Sequence, residues 1–291
     1  MAMIPPEILA IGLGLFSAVT VALANFGTKI GGDVLTARMV MSVTMALCTL
    51  PFAPFVAPPP AELWPSLLGA LGVHWIYQAG LVRALQRGDL SRVFPVMRGS
   101  APILVALLAV PLLDEHLSLA GWAGLVLASL AVISFALPEG RQTSASQRRI
   151  DRSALIWAGV TALGVGAYTI VDAGVIRQMP SPFTFIVYLF LLDWVGITVV
   201  TLFLRRGQVW KHVRPQLKPG MLGGVSGTLS YGAALYAFTL TDAAIVTALR
   251  ETSAVWAALM GAVWLKEGFG RRRIGAASVL VSGLFVMQIF G

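Results

Sequence analysis

Charge is scarce in this sequence: Asp, Glu, Lys and Arg make up 12% of the 291 residues, against 57% for hydrophobic types. Soluble domains carry about 25% charged residues, so a chain this poor in them lacks the polar groups to cover a water-facing surface. Cysteine occurs once and histidine three times. The lone Cys48 rules out an internal disulfide and, in an apolar stretch, reads as a small buried hydrophobe. His74, His116 and His212 are widely separated, and there is no HExxH, GxSxG or metal-spaced cluster. Neither catalysis, a metal nor a cofactor is therefore expected. A nucleotide-binding P-loop is missing as well, which points away from ATP as the energy source.

What remains is apolar length. A bilayer core about 30 Å thick takes about 20 residues of helix, and charges with Pro/Gly clusters divide this chain into ten apolar segments. They cover 7–28, 34–56, 63–85, 90–113, 118–137, 154–176, 182–204, 218–240, 243–265 and 271–290. The fold class expected is an all-α polytopic membrane protein with the lipid bilayer as its partner. The start, MAMIPPEILAIGLGL, has no positive n-region, and Pro5, Pro6 and Glu7 mark a helix beginning, so it reads as the first retained span. The net charge of +8 sits in short loops without an aromatic-interleaved basic domain, which argues against nucleic acid.

The longest connection, PEGRQTSASQRRID, is polar and aperiodic and separates five segments from five. The halves 1–137 and 153–291, joined by the linker 138–152, also resemble each other. LLDEHLSLAGWAG around Glu115 aligns with WLKEGFGRRRIGAA around Glu267, and VMRGSAPILVALL around Arg98 with ALRETSAVWAALM around Arg250. YQAGLVRAL from Tyr77 aligns with YGAALYAFTL from Tyr231. Because each repeat has an odd number of spans, the second must insert upside down relative to the first, the inverted-repeat plan of many secondary transporters.

The five-plus-five layout, with PILVALLAVPLLDEHLSLAGWAG and AVWAALMGAVWLKEGFGRRRIGAA at the fourth-to-fifth spans of each half, resembles the EamA-like permeases of the drug/metabolite transporter superfamily. The resemblance implies a central cavity that opens alternately to each side and a carrier for amino acids, other metabolites or toxic compounds. It identifies no substrate. Overlapping GxxxG steps, Gly220/Gly224 and Gly223/Gly227, predict close helix packing within a monomer.

Ionisable groups inside a bilayer mark pathways or coupling sites by default. Arg98 and Arg250 fall about 10–12 Å deep from opposite sides, and His74 and Asp193 lie near the same level, with Glu251 beside Arg250. Two forked guanidinium groups suit a carboxylate, while Asp193 and Glu251 bring the set near neutrality and so also suit a zwitterion. The competing reading pairs Arg250 with an acidic neighbour and leaves Arg98 to snorkel or cap backbone. Ser91, Pro95, Arg98 and Pro102 share one face of a helix expected to kink.

His74, Tyr77 and Gln78 form a polar stripe with Tyr231 as the repeat counterpart of Tyr77. Trp75, Trp194 and Trp256 lie near the midplane, with Trp256 taken as a substrate contact. Asp172, four residues after Tyr168, reads as an interfacial group, and Glu115 and Glu267 as loop-orienting groups. The function expected is a proton-coupled exporter of a small carboxylate-bearing or zwitterionic metabolite. Arg98, Arg250, His74, Tyr77, Gln78, Tyr231 and Trp256 would contact substrate, and Glu251 or Asp193 would carry the proton. A broad exporter of organic cations is the alternative, and lipid handling a more distant one.

With the N-terminus outside, the loops and flanks on the cytoplasmic face hold nearly all the Lys and Arg, leaving Arg177 outside and Arg98 and Arg250 in the membrane. The positive-inside rule therefore predicts periplasmic termini in a bacterial inner membrane. A reporter fused at Gly291 that works only in the periplasm should be active, and one that works only in the cytoplasm silent; the reverse pattern overturns the orientation.

Overall fold

A computed structural model of the chain describes residues 5–87, 90–134, 152–256 and 271–290. The linker 138–151, Glu267 and residues 257–265 of the ninth segment lie outside them. Among the described residues every regular element is helical: α1 (Pro6–Gly31), α2 (Val34–Thr49), α3 (Trp64–Arg87), α4 (Leu90–Gly99), α5 (Ala101–Leu113), α6 (Leu119–Ser134), α7 (Arg152–Gln178), α8 (Pro182–Leu204), α9 (Val209–Ala237), α10 (Ala243–Arg250) and α11 (Arg271–Phe290). Among the described residues five stretches are, by length and composition alone, long and apolar enough to cross a bilayer: Pro6–Ala24, Val34–Phe55, Pro95–Leu113, Ser153–Gln178 and Pro182–Leu204. The protein is a polytopic all-α membrane protein.

Several boundaries depart from the expected segments. The second span ends in a 3₁₀ turn, Leu50–Phe55, because Pro51 and Pro54 remove the amide donors an α-helix needs. The eighth span begins nine residues early: α9 runs through Pro215 and Pro219, so the loop before it shrinks to residues 205–208. The fourth span is two helices interrupted at Ser100, as Pro95 and Pro102 predict. The ninth also breaks, after Arg250, and there no proline is responsible. Glu251 N–H donates to the Ala248 carbonyl (3.0 Å), and Thr252 N–H and hydroxyl both reach the Leu249 carbonyl (3.2 and 2.8 Å). The helix tightens into i→i+3 bonds where the Thr252 hydroxyl shares the Leu249 carbonyl with its own backbone N–H.

Burial is dominated by small side chains. Ala18, Ala37, Ala70, Ala158 and Ala248 are fully enclosed, while Ile8, Leu47, Ile76, Leu130 and Phe203 point outward. In lipid, apolar surface gains little by hiding, so close backbone approach through small residues holds helices together. Cys48 is half-buried rather than enclosed.

The helices form two compact units, Met1–Ala79 with Val171–Thr241, and Gly80–Ile170 with Asp242–Gly291. In the first, α9 lies along both α1 and α2. The glycines of the GxxxG steps face α2: a Cβ on Gly220 would fall 2.6 Å from Val40, and one on Gly224 would overlap Thr44. The Ser230 hydroxyl donates to the Ser17 carbonyl at 2.8 Å and ties α9 to α1.

At one end of this unit Asp33 caps α2 through Thr36 N–H (3.3 Å) and hydroxyl (2.8 Å) and pairs with Arg205 (2.8 Å), with His212 Nδ1 at 3.2 Å. Partial burial pushes the Asp33 carboxyl up, but the Thr36 bonds and Arg205 together hold it below its ordinary value. Its contribution to stability is thus present at neutral pH and is lost as pH falls through that depressed value.

In the second unit α6 and α11 meet at glycine, a Cβ on Gly124 falling 2.5 Å from the Gly283 carbonyl oxygen. The pairing is antiparallel, since Gly124 faces Met287 while Ala128 faces Gly283. The same sense holds for α2 against α8, where Asp33 meets Arg205 and Ser42 meets Asp193. It holds again for the fourth and ninth spans, where Glu115 meets Ala243 and Arg98 meets Glu251. Each of these pairs consists of repeat counterparts, and antiparallel counterparts are what an inverted repeat requires. Gly224→Leu should lower stability by about 1–3 kcal/mol through overpacking against α2, seen as an earlier melt in detergent; Gly12→Ala, where a Cβ meets nothing within 4 Å, should not.

Candidate functional site

The expected site residues divide between the two units. His74, Tyr77, Gln78, Asp193 and Tyr231 belong to the first, and Arg98, Arg250, Glu251 and Trp256 to the second.

In the second unit Arg98 sits in the last turn of α4 and Arg250 in the last turn of α10. The negative end of a helix favours a cation there, and each break follows directly after its arginine. Arg98 Nη2 lies 3.2 Å from Glu251 Oε1, and both side chains are buried. Arg250, the neighbour of Glu251 in sequence, is 4% exposed. It is thus Arg98 that takes the acidic partner, not Arg250 alone as the competing reading had it. Both arginines lie within electrostatic reach of the Glu251 carboxylate. Glu251 Oε2 has no hydrogen-bond partner among the described residues. Trp256 is two-fifths exposed on the turn beyond the break. Ser91, expected on the Arg98 face, is in α4, but its side chain lies outside the description.

Glu115 orients its surroundings as expected. Its Oε2 accepts from Ala243 N–H at 2.9 Å and so caps α10 from another helix's loop. The local N-cap residue, Asp242, makes no side-chain cap of its own. Glu115 reaches this position because α5 stops at Asp114, which adopts a left-handed conformation (φ 56°).

In the first unit the polar stripe of α3 meets two acids on different helices. Gln78 Nε2 donates to both oxygens of Asp193 (2.8 and 2.9 Å), and Ser42 Oγ donates to Oδ2 at 3.4 Å. Trp75 packs its ring against α8 where Gly196 leaves room, and its indole N–H donates to the Asp193 carbonyl at 3.0 Å. That makes Trp75 a packing residue. Trp194, with its indole on the Leu191 carbonyl, is more than one-third exposed.

The second acid is Asp172, and here the sequence reading is corrected. Asp172 is completely buried, with His74 Nε2 at 2.8 Å from Oδ2 and the Tyr231 hydroxyl donating to the same oxygen. His74 and Tyr231 also meet edge to face at 5.7 Å between ring centroids. Counting residues along one helix places Asp172 near the membrane surface, but the direction of its side chain is set by α3 and α9. Arg38, one of the charges counted to the cytoplasmic loops and flanks, is half-buried one turn before Ser42 and lies within electrostatic reach of His74 and Asp193. The spacing of Tyr168 and Asp172 was the available local signal, yet Tyr168 falls in the other unit.

The sequence model of a family described as the EamA-like transporter family matches residues 5–137 and 152–289. None of the curated proteins matches the chain. One solved structure, described only as the crystal structure of a protein, superposes with a TM-score of 0.70 at 15% identity, over 95% of this chain and 95% of that one; the likeness is one of fold.

Replacing Glu115 by Ala should cost about 0.5–2 kcal/mol, the usual loss on removing an N-terminal cap. Thermal unfolding in detergent measures it, and an unchanged midpoint would show that α10 does not depend on this cap.

Proposed function

Because the chain belongs to the EamA-like transporter family, we propose that this multi-pass membrane transporter exports a small carboxylate-bearing or zwitterionic metabolite, amino-acid-like in size. It does so by alternating access across the bacterial inner membrane, in exchange for protons, with both termini periplasmic. The observation that carries this reading is the buried Arg98–Glu251 pair with Arg250 beside it at the break in the ninth span. Two buried guanidinium groups gathered at one helix break favour an anionic ligand. A carboxylate is the simplest such anion, and a guanidinium binds it through two parallel donors.

The pair also constrains coupling. While Glu251 is ionised it competes with a substrate carboxylate for Arg98, so protonating Glu251 favours substrate binding. A proton taken up there travels with the substrate. Export driven by inward proton flow needs the opposite linkage, in which proton and substrate exclude each other. The acids of the first unit, Asp193 among them, serve that role better than Glu251. His74, Tyr77, Gln78 and Tyr231 then shape the polar surroundings of those acids, while Trp256 is the aromatic group on the Arg250 side.

Export of organic cations is the competing reading, favoured by the two buried acids of the first unit. Against it, Asp193 already spends both oxygens on Gln78. Resistance profiling with organic cations separates the two.

Counterflow in proteoliposomes with a panel of labelled amino acids tests the main reading. Arg98→Ala and Arg250→Ala should each lower flux about 10–100-fold, the equivalent of a charge-assisted hydrogen bond worth about 1.5–3 kcal/mol. Pairing Arg98→Ala with Glu251→Gln avoids leaving a buried carboxylate without its counter-ion. Unchanged flux in these variants would sink the assignment.

A further inference from the structure

We propose that the buried pair of His74 and Asp172, clamped by Tyr231, is the site on which the transported proton resides; the proposal rests on the transport reading and names its coupling site. Three observations converge. Asp172 is completely buried on α7, Oδ2 accepts from His74 Nε2 at 2.8 Å and from the Tyr231 hydroxyl, and Oδ1 is buried with no hydrogen-bond partner among the described residues. The carboxylate therefore has one saturated oxygen and one vacant one. Asp193 differs, since Gln78 donates to both of its oxygens. Glu251 differs too, being committed to Arg98.

The vacant oxygen is sealed from solvent, which limits what can bind to it in this state. An ammonium group or a metal ion needs space and several further oxygen partners, whereas a proton taken up on the pair needs neither. Charge balance points the same way. Among the described residues, the charged groups acting on His74 are Asp172 on α7, Asp193 on α8 and Arg38 on α2, with the Tyr231 hydroxyl approaching from α9. With a neutral imidazole these sum to one negative charge. One proton on the His74–Asp172 pair cancels it, and a net buried charge within a bilayer is what the protein must avoid.

The step balances without a co-reactant. One proton arrives on Nδ1 of the imidazole, the Nε2 hydrogen stays in its bond to Asp172 Oδ2, and no electrons move. Tyr231 keeps the accepting oxygen in place by donating to it. For net transport the same proton leaves from Nδ1 when the site faces the other side, which returns the pair to its starting state.

Two measurements decide the proposal. Proteoliposomes holding the full chain and an internal pH dye report protons moved per amino acid transported, using the same labelled panel. Asp172→Asn should lower that ratio at least about tenfold, His74→Gln should do the same should the first variant fold poorly, and His116→Gln, an exposed loop residue, should leave it unchanged. A ratio retained in Asp172→Asn overturns the proposal.

Independently of any substrate, ¹⁵N spectra of the three histidines in nanodiscs should show the His74 Nε2 hydrogen present at both pH 8 and pH 5, with Nδ1 gaining a proton between them. An imidazole that stays neutral at pH 5 also overturns it. Should the wild-type chain move none of the amino acids, the substrate reading fails, and the imidazole spectrum still decides where the proton sits.

Discussion

Ionised side chains and open backbone groups are tolerated inside a bilayer only when something nearby compensates them, and in this protein the compensation comes from helices far away in sequence. Asp193 is held by Gln78 and Ser42, Asp172 by His74 and Tyr231, and Glu251 by Arg98. Even the first turn of α10 takes its cap from Glu115 rather than from its own flank. Each pairing fixes the rotation of two helices at once, so the polar contacts specify the packing that the apolar surface leaves open.

Small residues supply the rest of the specification. Gly220, Gly224, Gly124 and Gly283 bring backbones so close that a Cβ would overlap the neighbour. Such contacts gain dispersion energy rather than hydrophobic energy, which suits a solvent of lipid tails. Both compact units are built this way, and each takes helices from both halves of the sequence. The halves are therefore repeats in sequence whose counterpart spans run antiparallel against one another.

Both helix breaks fall beside arginine. In the fourth span prolines interrupt the hydrogen-bond ladder; in the ninth the Thr252 hydroxyl competes for the Leu249 carbonyl. Two unrelated local causes thus yield the same result, a cation in the last turn of a half-helix. This convergence supports a role for the break itself, since neither cause would preserve the other.

The residues read in order were enough for the membrane class, the ten spans, the two repeats and the kink at Pro95 and Pro102, because composition and periodicity are properties of neighbours along the chain. They also placed His74, Gln78, Asp193, Arg98 and Glu251 among the buried polar groups, because ionisable groups in apolar runs stand out locally. What they left open was partnership. Asp172 looked interfacial because depth was counted along one helix, whereas its burial depends on His74 and Tyr231, 98 and 59 positions away. Arg38 looked like a loop or flank charge for the same reason. A side chain's direction around its helix is decided by what packs against it, and only the tertiary structure holds that information.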